Sequence, residues 1–338
     1  MRIGSIDIDK PILLAPMEDV TDPPFRLICK RLGADIVYTE FVNSEGLVRS
    51  SDRTHQKMAF NEEERPFGIQ IYGGEESSME GAALIAQQMQ PDLIDINAGC
   101  WVKNVVGCGA GSGLLRDLPK MERIVSTVVK AASLPVTVKT RLGWDSESIR
   151  IVDVARMLEQ NGVAALTIHC RTRAQAHKGV PDYSWIPRVK DAVSMPIIVN
   201  GSLTTPEGIK AVFDETGADG VMVGRGAIDN PWIFGHAKHF LLTGEILPPP
   251  SLQERFRLLE EHLRLAVEWK GERKGVIEFR KHYSGYLKGM SHASRVRLEL
   301  MAFTTLEPIL ERLQKYLHDL LHGSLQQDAR VEIVPNAG

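Results

Sequence analysis

The stretch Asp92 to Asp117, DLIDINAGCWVKNVVGCGAGSGLLRD, passes from an apolar run to a thiol and on to a glycine-rich turn. Leu93, Ile94 and Ile96 make the short apolar run that a doubly covered parallel strand needs, and Asn97, Gly99 and Cys100 follow toward its carboxyl end. A free cysteine is commonly one more small buried hydrophobe. Here the same loop carries Asn97, Lys103 and Asn104, and a nearby lysine favours a thiolate, which makes Cys100 a candidate for chemistry. Cys108 lies in the same loop and, on the residues alone, competes for the role.

Working outward, seven further β-like runs alternate with helical patterns before residue 230. The full set is Ile12 to Ala15, Ile36 to Thr39, Phe67 to Ile71, Leu93 to Ile96, Val136 to Lys139, Ala165 to His169, Ile197 to Val199 and Gly220 to Val223. Amphipathic stretches such as Ser78 to Met89 and Met121 to Ala132 lie between them. Strand alternating with helix implies a parallel sheet, and eight such units fit an α/β fold closed as a (β/α)8 TIM barrel over residues 1–243. Chemistry in that architecture sits at the carboxyl ends of the strands.

Several strand ends carry suitable residues. The fifth strand runs Thr137-Val138-Lys139-Thr140-Arg141, and alternation puts Lys139 and Arg141 on one inward face. Such cations either pair with a buried carboxylate or meet an electron-rich group bound in the barrel. The seventh strand ends Asn200-Gly201-Ser202 and the eighth Gly224-Arg225-Gly226. Turns after these two strands form the common phosphate site of such barrels, with Arg225 as counter-ion. FMN fits, having one terminal phosphate, and no GxGxxG signature asks for a Rossmann domain.

Residues 244–250, GEILPPP, read as a stiff linker. Over 251–323, Ser251 to Glu254 is a capping-box pattern, and leucines at helical spacing imply a small helical bundle. Its second helix is expected to present Val276, Phe279, Tyr283, Tyr286 or Leu287, and Met290 on one face. The bundle concentrates Lys281, Lys288, Arg295 and Arg297 beside Tyr283 and Tyr286, either a solvated face or a polyanion site. Residues 324–338 show no core pattern and are expected to be disordered.

The overall formal charge of -3 gives no global sign of a nucleic-acid binder, so that local cluster matters. Four cysteines without a Cys-x-x-Cys pair, no signal-like amino terminus and no apolar run of ~20 residues read as a cytoplasmic protein, away from membranes. No metal site is expected.

Asn97-Ala98-Gly99-Cys100, followed by Lys103 and the glycine turn, resembles the active-site loop of the tRNA-dihydrouridine synthases, with Trp101 where that family has proline. Ala15-Pro16-Met17 with Thr21-Asp22 and Phe25-Arg26, Val138-Lys139 with Arg141, Gly143 and Trp144, and His169 with Arg171-Thr172 resemble the same family's motifs. Cys170 stands where the family has glycine, and would be strained if that position needs a positive φ. The loops look most like those of the bacterial B-type synthases. The resemblance implies reduction of tRNA uridine to 5,6-dihydrouridine with FMN, and NADPH or NADH as reductant. It implies that Cys100 is the acid, that Pro16, Met17, Glu18, Gln70, Lys139 and His169 contact the flavin, and that Asn97, Lys103, Arg141, Arg171, Arg173 and Gln175 lie toward the RNA. The helical bundle would grip the tRNA. A small-molecule flavin oxidoreductase of dihydroorotate-dehydrogenase type, or an RNA-binding relative without catalysis, are the alternatives.

Overall fold

In the computed structural model, residues 1–323 are described, so the expected tail at 324–338 lies outside the described residues. The chain divides into two compact units. The first comprises Met1–Ala227 and Pro231–Leu247, and the second Ile228–Asn230 with the described residues from Pro248.

The first unit opens with an antiparallel hairpin, β1 (Arg2–Ile3) and β2 (Ile6–Asp7). The sequence gives no sign of it, because two-residue strands are too short to display alternation. The remaining strands are β3 (Ile12–Leu14), β4 (Val37–Tyr38), β5 (Val42–Asn43), β6 (Phe67–Tyr72), β7 (Leu93–Ala98), β8 (Val136–Arg141), β9 (Ala165–His169), β10 (Ile197–Asn200) and β11 (Gly220–Val223). The sheet order is β3-β11-β10-β9-β8-β7-β6-β4, with every pairing parallel and β5 adding to β6 past the end of β4. The circle closes between β3 and β4 through Asp35 N–H to Ile12 O (2.9 Å) and Leu14 N–H to Ile36 O (3.0 Å). The expected eight-stranded parallel barrel is therefore the observed fold.

Inside, composition changes along the barrel. At the amino ends Leu13, Ile36, Leu93, Ala165 and Ile198 form an apolar floor, joined by Ile3 and Ile6 of the hairpin. At the carboxyl ends the inward positions are Gln70, Asn97, Lys139, His169 and Asn200. The floor holds the barrel together by apolar burial, and the polar layer is left to face a ligand.

Helices start where the sequence provides caps. Asp22 accepts from Phe25 N–H (3.1 Å) to start Pro23–Arg31, and Thr205 accepts from Gly208 N–H (3.1 Å) to start Pro206–Thr216. Arg26 is buried and holds the loop after β3 in place, donating to Glu64 (2.5 Å), Thr21 O (2.9 Å) and Ala59 O (2.7 Å).

In the second unit, Ser251 and Glu254 form the capping box of Leu252–Lys270, which is followed by Glu272–Phe279, Tyr283–Tyr286, Ala293–Leu300 and Leu306–Leu321. Gly275 permits close packing, since a Cβ there would sit 2.5 Å from Ala266 O. The second helix expected from the sequence is broken by a 3-10 turn at Arg280–His282 and does not reach Met290. Val276, Phe279, Tyr283, Tyr286 and Leu287 are nonetheless all buried.

Candidate active site

Strand register brings residues distant in the sequence to one level of the barrel. Gln70 lies opposite Asp95, Asp95 opposite Thr137, and Asn97 opposite Lys139. Because alternate residues point inward, these side chains meet in one hydrogen-bonded chain. Thr137 Oγ1–H donates to Asp95 Oδ1 (2.5 Å), and Gln70 Nε2–H donates to Asp95 Oδ2 (2.6 Å). Asn97 Nδ2–H then donates to Gln70 Oε1 (2.8 Å). The other oxygen of this relay, Asn97 Oδ1, accepts from Gly99 N–H (3.1 Å) and Cys100 N–H (2.9 Å). The buried carboxylate thus orients the amides that set the thiol loop.

Burial raises the Asp95 carboxyl to about 6, opposed by its bonds from Gln70 and Thr137 and by the charge of Lys139. Asp95 and Thr137 were not among the site residues read from the sequence. The signal was present in the alternation Leu93, Asp95, Asn97, which puts Asp95 on the face of Asn97.

Lys139 donates to Asn200 Oδ1 (3.2 Å), and Asn200 Nδ2–H donates to Met222 O (2.7 Å). Burial, and then the charge of Arg141, lower the Lys139 ammonium to about 8. His169 is held neutral, its pKa pushed far down by burial and then by Lys139, Arg141 and Arg171. Its Nε2 lies 3.3 Å from Arg171 Nη1, which can only donate, so that ring nitrogen is the acceptor.

Cys100 is half-buried and Cys108 exposed. Burial raises the Cys100 thiol, while a backbone bond at Val102 and the charges of Arg141 and Lys139 pull the other way. The cations beside the thiol are therefore those of β8, whereas Lys103 is exposed on the following short helix, Lys103–Gly107. Cys100 O accepts from Ser112 N–H (2.9 Å) and Ser112 Oγ–H (2.8 Å). Arg141 is buried and donates to Gly99 O (2.8 Å), Thr172 O (3.1 Å) and Ala176 O (2.8 Å), tying the loop after β7 to the loop after β9.

Arg171 is also buried, donating to Lys178 O (3.1 Å), Gly179 O (2.7 Å) and Ser202 Oγ (2.8 Å). Arg173 is half-buried with its guanidinium 4.4 Å from the centre of the Trp144 ring, and Arg116 lies 4.9 Å from the same ring. Gln175 accepts from Thr172 N–H (2.8 Å) within its own loop. Cys170 is buried without a positive φ, so no backbone strain attaches to it.

The remaining positions ring the same mouth. Pro16 and Met17 are half-exposed at the end of β3, and Thr21 pins Met17 through N–H to Oγ1 (2.9 Å). Glu18 is exposed and paired with Lys57, which also lies 3.8 Å from Glu40. Gly201 has φ +135, a conformation glycine takes freely, and Ser202 follows at φ +51. Gly224 faces Ala15 and the Met17 sulfur, each 3.7 Å from where a Cβ would be, and Arg225 is exposed next to it. Gly226 brings the two turns together, since a Cβ there would meet Leu203 O at 2.5 Å.

In the second unit, Lys288 pairs with Asp229 (3.2 Å), Arg295 with Glu299 (3.1 Å), and Arg297 donates to Ser294 Oγ (3.2 Å). Lys288 and Arg297 line a pocket of about 340 Å³ with Ser284, Met290 and His292, while Lys281 is half-buried outside that lining.

Fold and site define a (β/α)8-barrel protein whose strand ends gather a thiol, paired amides and a half-buried lysine beside two glycine turns. The chain belongs to the dihydrouridine synthase family: the profile described as "Dihydrouridine synthase (Dus)" matches residues 13–321. It is 42% identical over 287 residues to tRNA-dihydrouridine synthase B of Pseudomonas putida, covering 85% of each chain. To the B synthase of Pectobacterium carotovorum it is 40% identical over 320 residues, covering 95% of this chain and 100% of the relative. Among solved structures, the 6-hydroxypseudooxynicotine amine oxidase of Pseudomonas geniculata shares the fold with a TM-score of 0.51 at 13% identity, over 71% of this chain and 49% of that one.

Proposed function

We propose that this protein reduces uridines of tRNA to 5,6-dihydrouridine with bound FMN, and that NADPH or NADH is the reductant. The observation that carries the reading is Cys100 at the end of β7, its backbone held by Asn97 and Ser112 and its neighbour Gly99 by Arg141, near the half-buried ammonium of Lys139.

The mouth fits a flavin. Pro16 and Met17 offer an apolar, polarisable surface, and Gln70 and His169 offer polar edges. Lys139 offers a cation for an electron-rich ring edge. The amides of Asn200-Gly201-Ser202 and Gly224-Arg225 would hold the phosphate, with the Arg225 guanidinium as counter-ion. Glu18 would complete the rim through its pairing with Lys57. When bound, the flavin supplies the hydride that reaches C6 of the uracil.

The chain's own residues handle the proton. Burial keeps the Cys100 thiol protonated at neutral pH, so it can donate to C5 as charge develops there. Arg141, Lys139 and the backbone at Val102 stabilise the thiolate that results. Asn97 holds the main chain that carries the thiol by accepting from the Cys100 backbone N–H. Arg141 and Arg171 support this geometry from inside the loops, while Lys103, Arg173 and Gln175 line the approach of the RNA. The uridine must leave its stack to reach such a site. Lys281, Lys288, Arg295 and Arg297 would take RNA phosphates on the helical unit, and the weak exposed pairs of Lys288 and Arg295 can be exchanged at little cost.

The test is to incubate the protein, FMN and NADPH with unmodified tRNA transcripts and map dihydrouridine by mass spectrometry. Product that is lost with Cys100→Ala and kept with Cys108→Ala supports the reading. Flavin binding and NADPH oxidation without any reduced tRNA uridine would remove the RNA substrate from it.

A further inference from the structure

Trp101 directly follows the thiol, and it is 37% exposed. Its indole N–H donates to His177 Nε2 at 3.3 Å, with ring centroids 5.5 Å apart and planes at 89°. A bond from an indole N–H lies along the ring plane, so it fixes the tilt of the ring while leaving both π faces outside the contact. The tie runs from the loop after β7 to the loop after β9, passing over β8. On its far side His177 lies 6.2 Å from the ring of His169. Burial, then Arg225, Arg141, Arg171 and Lys139, hold His177 down at about 4, so at neutral pH it remains an acceptor and the tie stays made.

An apolar ring of this size is ordinarily buried for its packing. This one is instead partly open, anchored at its edge and one residue from the thiol, with the exposed Lys103 two residues further along the same loop. Extruding a base from RNA leaves its neighbour without a stacking partner, and an aromatic side chain at the mouth can replace the lost one.

We propose that Trp101, held by His177, is a stacking platform for the nucleobase adjoining the target uridine. This inference rests on the reading of the barrel as a tRNA uridine reductase. Trp101 is then a substrate-recognition residue, and His177 a positioning residue that acts through it.

The experiment is steady-state kinetics on a tRNA transcript carrying a single abasic nucleotide immediately 5′ or 3′ of the mapped target uridine. Wild type is compared with Trp101→Phe, Trp101→Leu and His177→Ala. Stacking is worth enough that Trp101→Leu should raise KM by about tenfold with kcat changed less than about threefold. Trp101→Phe, which keeps a π face and loses the N–H, should recover most of that loss, and His177→Ala should fall between. One of the two abasic RNAs should raise the wild-type KM by a similar factor, and Trp101→Leu should add less than about twofold on that RNA. A 2-aminopurine at that position should be quenched when wild-type protein binds. Losses that multiply on both abasic RNAs, an unchanged KM for Trp101→Leu, or an unquenched 2-aminopurine would overturn the proposal. If wild type reduces no tRNA uridine at all, the underlying reading fails instead, and the control reaction shows it before any variant is measured.

Discussion

On the proposed function, the surroundings of Cys100 select its chemistry. A thiol that must donate a proton should be protonated at working pH, and burial provides that by raising its pKa above the ordinary value of 9.0. Because the shift is upward, the acid is present at neutral pH and is lost as pH rises through the raised value. Turnover should therefore fall on an alkaline limb that begins near pH 8, as Lys139 loses its charge, and continues above pH 9 as the thiol ionises, measurable as the logarithm of the single-turnover rate constant against pH. Asp95 offers a second test, on stability. Its folded pKa of about 6 lies above the ordinary 3.8, so the stability it contributes is fully present below the unfolded pKa and is lost as pH rises through about 6. Relative to Asp95→Asn, wild type should lose on the order of 3 kcal/mol between pH 3 and pH 7, read from denaturant unfolding at each pH. Equal pH dependence in the two proteins would show that Asp95 is not the buried titrating group. At this scale Lys139 was legible in the sequence because alternation sets it on one face with Arg141, and Gln70 through the family resemblance. The motif Asn97-Ala98-Gly99-Cys100 pointed to Cys100 over Cys108 by resemblance, whereas the amide and hydroxyl partners that hold its backbone are set by how the loop folds and were not legible. The coupling of Asp95 to Thr137 was likewise hidden, being set by register between strands 42 residues apart.

Among the elements, the loop after β7 depends on Arg141 more than on its own sequence. The guanidinium joins Gly99 to carbonyls of the loop after β9, and its fork fixes direction as well as distance. Lysine cannot reproduce that fork. Arg141→Lys should lower kcat for tRNA by at least about tenfold while flavin affinity, followed by fluorescence titration, changes less than about threefold. Gly226→Ala should do the reverse. Its added Cβ would press on Leu203 O, separating the two turns and weakening flavin binding by about tenfold or more in the same titration. The sequence points to both glycine turns from their place after the last two strands. It does not reveal that Arg141 and Arg171 are enclosed by backbone carbonyls, because those partners are brought in by loops with no periodic pattern. The amino-terminal hairpin escaped for a related reason: its strands are shorter than the repeat that would announce them.

For the molecule as a whole, the eight-fold alternation of strand and helix was enough to specify a closed parallel barrel, and the hydrogen bonds between β3 and β4 complete it. Less visible was the membership of Ile228–Asn230 in the second unit, since nothing in the composition of that short segment separates it from the barrel's last turn. The net charge of -3 likewise conceals the basic residues of the helical unit. If these take RNA phosphates, replacing Lys288, Arg295 and Arg297 together with glutamine should reduce the slope of log Kd against log salt by about 2, measured by filter binding. An unchanged slope would place the phosphate contacts elsewhere.

The central claim, that Cys100 delivers a proton to C5 of a tRNA uridine while hydride reaches C6, is tested most directly by isotope incorporation. The reaction is run in D2O with unlabelled NADPH, using a short single-turnover time, and the product nucleoside is examined by mass spectrometry and NMR. Deuterium at C5, whatever C6 acquires by exchange of the flavin N5–H with solvent, and no product from Cys100→Ala, is the predicted result. Protium at C5, or undiminished product from Cys100→Ala, would contradict it.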